Sequence, residues 1–315
     1  MKEYPKKNGF CIMKLRFGPA QYRLVAHDAW GRKAISRLAR NAKTSPFTGT
    51  PDRIFHLLEF RSSGDEYVET GAGLLPDRLA DLIPGRSPMR GWRRIGDDFG
   101  CFYWTHPRSG HALWASDTSF EGTPPSFWLP WPLMVEDAIR MGGGLFHGGL
   151  AVLQGRGYLF TAPAGGGKTT ALSRMPRPWR VLADDAALVW PSGHGTFLAS
   201  PLPTWGNLVR NEKGPLRAMR WRVSEAVRVS GLFLLKKAPH ERLIPFPPLR
   251  TARPLYLAFS EHPTVSRDRD PFRKQIFRTA CALARAVPSW KLELTRGGKF
   301  WHIIEDMLLN AEEAR

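Results

Sequence analysis

Ten residues, TAPAGGGKTT at 161–170, set three consecutive glycines ahead of Lys168 and Thr169. In register, Ala162, Pro163, Ala164, Gly165, Gly166, Gly167, Lys168 and Thr169 follow the spacing of a phosphate-binding loop, GxxxxGK[ST], with alanine at the first glycine position. Glycines let backbone N–H groups turn inward around phosphate oxygens. The helix that follows adds its positive end, and the lysine adds a mobile cation for the outer phosphates. Thr169 is the expected Mg²⁺ ligand through its hydroxyl, and Thr170 joins the nucleotide-binding set.

Two acids and a histidine flank this loop in sequence. RVLADDAALVW at 180–190 holds Asp184 and Asp185 in an apolar run, where adjacent carboxylates are costly unless they meet metal, solvent or substrate. Read as one strand, the run sends the two side chains to opposite faces, so their tasks differ. One would complete the Mg²⁺ shell with Thr169, and the other would take the proton of an acceptor hydroxyl. Alternation alone leaves open which does which. His147, in GLFHGGLAV, is followed by glycines that leave room for a close neighbour. It would orient the catalytic carboxylate, contact a phosphate, or fill the core as a hydrogen-bonded imidazole.

The elements that must position these residues follow from periodicity. GLFHGGLAVLQGRGYLFTA reads as two strands joined by the QGRG turn, the second running into the loop. KTTALSRM is a short helix stopped by PRPW, RVLADDAALVW a strand, and PSGHGTF a turn. VSGLFLLKK and PLYLAF are further strand candidates, while PFRKQIFRTACALARAV and FWHIIEDMLLNAEEA have helical spacing, with Ile276, Ala280 and Leu283 on one face. Upstream, IMKLRFG and QYRLVAHDA read as strands around a Gly-Pro turn, WGRKAISRLARNA as a helix and RIFHLLEFR as a strand. GCFYWTHPRSGHALWASD reads as a hairpin and WPLMVEDAIRMGG as a helix ending at glycine. The expected organisation is a smaller N-terminal α+β recognition module over 1–97 and an α/β domain over 98–315.

Composition bounds the partners. The 315 residues are 43% hydrophobic, as in folded domains, and 46 Lys and Arg against 28 Asp and Glu give a net charge of +18 that favours acidic or polyanionic partners. The basic residues are spread along the chain, without zinc-finger spacing or an RNP1-like stretch, so nucleic acid is not the expected ligand. Cys11, Cys101 and Cys281 lie far apart, which argues against a disulfide framework or metal clip and for a reducing, cytoplasmic setting. Charge scattered through MKEYPKKNGFCIMKLRF and the lack of a run of about 18 apolar residues predict a soluble chain without a membrane span. The twelve tryptophans, Trp190, Trp205 and Trp221 among them, read as core and interface filler.

The ordered block FHGGLAVLQGRGYLFTAPAGGGKTTAL…RVLADDAALV resembles the catalytic domain of HPr kinase/phosphorylase, bacterial phosphate-loop serine kinases related to phosphoenolpyruvate carboxykinases. The resemblance implies an α/β P-loop kinase fold and places His147, the loop from Ala162 to Thr169 and the Asp184–Asp185 pair on functional positions. It assigns Asp184 as general base and Asp185 to the metal, and it implies self-association into a homo-oligomer. PLPTWGNLVRN, VSGLFLLKKAPHERLIPFPP and FRKQIFRTACALARAVPSWKLELTRGGKFWHII look like a subgroup found beside radical-SAM genes in peptide-modification clusters, such as the SynChlorMet cassette protein. The acidic, Arg-Gly-rich segment that HPr kinases use for phosphorolysis is not recognisable, so the reverse reaction is not expected.

Phosphoryl transfer calls for a positive residue besides Lys168, and Arg210 is favoured by position, with Arg217 and Arg220 as competitors. The expectation is a kinase that uses ATP and Mg²⁺ to phosphorylate a serine or threonine hydroxyl of a peptide or small protein, an acidic one by charge. The alternatives are phosphorylation of a free small molecule such as serine, a nucleotide-dependent switch or scaffold, and a nucleic-acid-stimulated NTPase.

Overall fold

The computed structural model describes residues 11–41, 47, 49–60, 92–98, 101–106, 109–117, 131–202, 223–261 and 270–313. The chain divides into two units, Met1–Asp137 and Ala138–Arg315. The division falls well beyond residue 97 because the aromatic hairpin after it completes the first sheet. Strand β6 (His111–Asp117) pairs in parallel with β3 (Arg53–Phe60), and β5 (Cys101–His106) joins β6 to β4 (Arg93–Asp98).

In the first unit, β1 (Cys11–Phe17) and β2 (Ala20–Ala26) form a hairpin around the expected Gly18-Pro19 turn, Gly18 taking a left-handed φ of 58°. Their alternate side chains, Met13, Leu15, Phe17, Tyr22 and Leu24, are buried, as a half-buried strand dictates. Helix α1 (Ala29–Asn41) then connects β2 to β3, which pair in parallel and so need such a crossover. The six strands lie in the order β1-β2-β3-β6-β5-β4. Arg53 grips the buried carboxylate of Asp137 with Nε 2.9 Å from Oδ2, and Arg93 pairs with Glu136.

The described residues of the second unit build a mixed sheet of nine strands. Seven run in the order β10-β8-β9-β13-β12-β11-β7, and β15 flanks β13 and carries β14. The strands are β7 (Gly144–His147), β8 (Gly149–Leu153), β9 (Arg156–Thr161), β10 (Arg180–Ala183), β11 (Ala186–Gly193), β12 (Thr196–Pro201), β13 (Val227–Lys237), β14 (Arg242–Pro245) and β15 (Ser289–Leu294). Strand β13 is parallel to both β9 and β15 and brings Phe233 level with Phe160 on one side and Trp290 on the other. The rings stack at 5.0 and 5.4 Å between centroids, contacts each contributing about 0.5–1.5 kcal/mol beyond burial.

Three elements differ from the sequence expectation. PLYLAF lies inside a helix, α4 (Pro248–Ser260), where Pro248 occupies the first turn and Thr251, Leu255, Ala258 and Phe259 form the buried face. Its apolar run is a helix side because the burial repeats at three and four residues. GLFHGGLAV is two strands, broken at Gly148, and RVLADDAALVW is two strands, broken at Asp184–Asp185. The breaks face each other. Ala183 pairs with Leu150 and Ala186 with His147, so both chains change partners at one place in the sheet.

The predicted helices at the C-terminal side are present as α5 (Asp270–Ala286) and α6 (Trp301–Glu313), with Ile276, Ala280 and Leu283 buried. Helix α2 (Trp131–Arg140) and the short α3 (Lys168–Ser173) complete the set of described helices. None of the described helices is long and apolar enough to cross a membrane. Trp190 is buried, as a core tryptophan should be, whereas Trp205 and Trp221 lie outside the described residues.

One cluster in the first unit carries a pH signature. His27 Nε2 lies 2.9 Å from His56 Nδ1, and His56 Nε2 lies 2.7 Å from His111 Nδ1, so three imidazoles, one just past β2, one in β3 and one in β6, form a hydrogen-bonded row. Burial, followed by repulsion from His27, His111 and Arg23, pushes His56 down to about 3, and burial also lowers His27. Between pH 6.5 and 3 the unfolded chain therefore binds protons that folded His56 refuses, and stability rises with pH. Lowering the pH from 7 to 5 should cost about 2 kcal/mol of folding free energy through His56 alone. Urea titrations followed by tryptophan fluorescence should show this slope, and His56→Gln should flatten it.

Candidate functional site

Strands β9, β13 and β15 are mutually parallel, so their C-terminal ends lie at one edge of the sheet, where an open α/β sheet offers its crevice. The residues that leave those ends line a cavity of about 890 Å³. After β9 come Ala164 to Ala171, at the end of β13 Lys237 and Ala238, and at the end of β15 Leu294, Thr295 and Arg296. His147, Arg174 and Asp185 complete the lining.

The three glycines have two causes. Gly165 and Gly167 adopt φ of 71° and 93°, a left-handed conformation that other residues enter at a cost. Gly166 is held by space: a Cβ there would fall 2.5 Å from the Ala162 Cβ and 2.8 Å from the Pro163 carbonyl oxygen, to which the Gly166 N–H donates at 2.9 Å. The loop is a tight turn about its own start. It delivers Lys168 inward, where Nζ donates to the Ala162 carbonyl at 2.7 Å. Burial lowers the Lys168 ammonium from its ordinary value, while the charges of Glu261 and then Asp185 work to hold the proton on.

The helix behind the loop is seated by the glycines after His147. A Cβ on Gly149 would overlap the side chain of Leu172, so α3 packs directly on β8, and the close neighbour expected at these glycines is Leu172. Gly148 donates its N–H to the Asp185 carbonyl at 2.8 Å, which ties the two strand breaks together.

The acid pair is divided by depth. Asp185 is half-exposed and faces the cavity, with Oδ1 3.6 Å from His147 Nδ1. Asp184 is 2% exposed and is not part of the cavity lining. The bend between β10 and β11 thus brings Asp185, and not Asp184, into the lining of the cavity beside the glycine turn. His147 is a cavity residue and not a core one. Its Nε2 faces Glu261 Oε2 at 3.5 Å, so the imidazole stands between two carboxylates. Arg210, Arg217 and Arg220 lie outside the described residues.

Four cavity-side residues carried no motif. Glu261, just past α4, reaches His147 because Phe259 packs against Phe146 at 5.7 Å between ring centroids and against Gly144, where a Cβ would fall 3.0 Å from its ring. Lys237 and Arg296 stand at ends of parallel strands, a position legible only once β13 and β15 are known to pair with β9. Arg174 follows α3 and donates to the carbonyls of Thr295, Arg296 and Gly298. Lys237 and Arg296 line one cavity with Lys168 and Asp185, a set of groups suited to a polyphosphate with its metal.

The family model of the SynChlorMet cassette protein ScmC matches residues 129–310, more than half of the chain. The chain belongs to the ScmC family. No curated protein matches it. The ScmC match takes in every residue that lines the cavity, together with Glu261. This ScmC member therefore carries its cavity within the family's own stretch, while strands β1 to β6 lie outside it.

Substitutions at the loop should separate binding from folding. Gly166→Ala forces the turn apart and, on the nucleotide reading proposed below, should weaken Mg-ATP binding by at least about tenfold with only a small change in melting temperature. Gly149→Ala overpacks the contact with Leu172 and should cost about 1–3 kcal/mol. Calorimetric titration and thermal melts of the two variants check this pair of outcomes.

Proposed function

We propose that this chain is an ATP- and Mg²⁺-dependent kinase that transfers the terminal phosphate to a serine or threonine hydroxyl of a peptide or small protein. The observation that carries the reading is the buried Lys168, delivered by a three-glycine turn at the end of β9 into a cavity that Asp185 and His147 also line. The order of His-Gly-Gly, phosphate loop and Asp-Asp supports kinship with HPr kinase and a P-loop kinase fold.

The chemistry follows from positions. The ammonium of Lys168 and the backbone N–H groups of the turn other than that of Gly166, which the Pro163 carbonyl holds, bind the outer phosphates, with Lys237 and Arg296 as further cations on the wall. Thr169 and Asp185 are hard oxygen donors of the kind Mg²⁺ takes in ones and twos beside phosphate, and they would hold it. When bound, the ion neutralises charge on the phosphate oxygens. The acceptor oxygen forms its bond to the terminal phosphorus as the bond to the bridging oxygen breaks, and ADP leaves. The hydroxyl proton passes to His147, which Asp185 and Glu261 keep facing the cavity. The chain's +18 charge favours an acidic acceptor.

The decisive experiment incubates the protein with Mg-ATP and the precursor peptides or small proteins encoded beside its gene, and reads intact masses for an added phosphate. Lys168→Ala should abolish the product. His147→Gln should lower turnover by about 10²- to 10⁴-fold while nucleotide affinity stays within about twofold. ATP binding without transfer to any acceptor would instead make the chain a nucleotide-dependent switch, and loss of nothing on Lys168→Ala would end the kinase reading.

A further inference from the structure

A cavity of about 890 Å³ lies in the size range that takes a whole small-molecule ligand, so it has room for a nucleoside beyond a triphosphate tail. Besides Lys168, Asp185 and His147, its wall has a region where Arg174 meets Thr295 and Arg296.

Arg174 in that region is fixed and already satisfied along its edge. Its Nη1 donates to the Arg296 carbonyl at 2.9 Å and toward that of Thr295 at 3.4 Å, and its Nη2 donates to the Gly298 carbonyl. The rings of Phe300 and Trp301 lie 5.8 and 5.9 Å from its Cζ. The loop it grips is itself braced: the Gly298 N–H donates to Thr295 Oγ1 at 2.8 Å, and that hydroxyl donates to Glu241 Oε1 at 3.3 Å. A guanidinium with these donors committed to carbonyls is poorly placed to fork onto a phosphate. What it offers the cavity is a flat, delocalised cation, the surface on which bases stack.

We infer that Arg174 is the platform of a nucleobase subsite, on which the purine ring of the triphosphate stacks while the phosphate loop holds its tail. The proposal rests on the nucleotide reading of the cavity. Arg174 thereby sets specificity for a nucleotide over a bare polyphosphate, and it ties the 295–298 loop to the end of the helix that follows the phosphate loop.

The test compares ATP with inorganic tripolyphosphate, each with Mg²⁺, by calorimetric titration of the full chain. Arg174→Lys keeps the charge but loses the flat fork. It should weaken ATP by about tenfold or more and leave tripolyphosphate within about twofold. Equal weakening of both would make Arg174 a phosphate ligand and overturn the proposal, as would no change in either. If Arg174→Lys does not fold, the wild type decides: ATP bound no more tightly than tripolyphosphate overturns the subsite while leaving the phosphate loop intact. Binding of neither compound would remove the nucleotide reading and this inference with it.

Discussion

Phe233 stacked between Phe160 and Trp290 is the contact on which the rest of the second unit depends. Parallel strands have no hairpin turn to set their register, so side-chain packing must do it, and a slip of one residue would send each ring to the other face. With the three rings level, β13 and β15 end together at Lys237 and Leu294, and β9 ends opposite Leu234, at Thr161. The phosphate loop, Lys237 and the 295–298 loop then leave the sheet at one edge, although long stretches of sequence separate them. A cavity at that edge is a consequence of register.

Small residues then set how closely the surrounding parts approach. Gly149 lets Leu172 lie on β8, Gly144 lets Phe259 lie on β7, and Gly148 allows the chain to bend where β7 gives way to β8. Each of these contacts seats a functional group: the first holds the helix that begins with Lys168, and the second brings Glu261 to His147. The glycines around the site are therefore of two kinds, those that permit a positive φ and those that permit contact. Gly165 and Gly167 are of the first kind, and Gly149 and Gly166 of the second.

The electrostatics follow from depth. Lys168 is buried enough to lose some of its hold on the proton, and Glu261 and Asp185 restore part of it. Asp184, one residue from Asp185, is enclosed, because a bend between two strands turns successive side chains to different surroundings. The two acids differ in surroundings, Asp184 enclosed and Asp185 lining the cavity, and the difference arises at a break in the strand.

The tight glycine turn at 162–168 was legible in the sequence because its requirements are local: a positive φ at Gly165 and Gly167, a missing Cβ at Gly166 and an inward lysine are written in adjacent residues. The helical faces of α5 and the Gly-Pro turn of the first hairpin were legible for the same reason. What only the tertiary structure decided is non-local. PLYLAF became a helix face, the Asp-Asp run became a crossing between strand partners, and the aromatic hairpin joined the first sheet, so that the units divide at 137 instead of 97. Glu261, Arg174, Lys237 and Arg296 reached the cavity side by packing that no neighbouring residue records. A residue type fixes what its own backbone and side chain can do, whereas strand partners and helix seats are chosen by burial summed over the whole sheet.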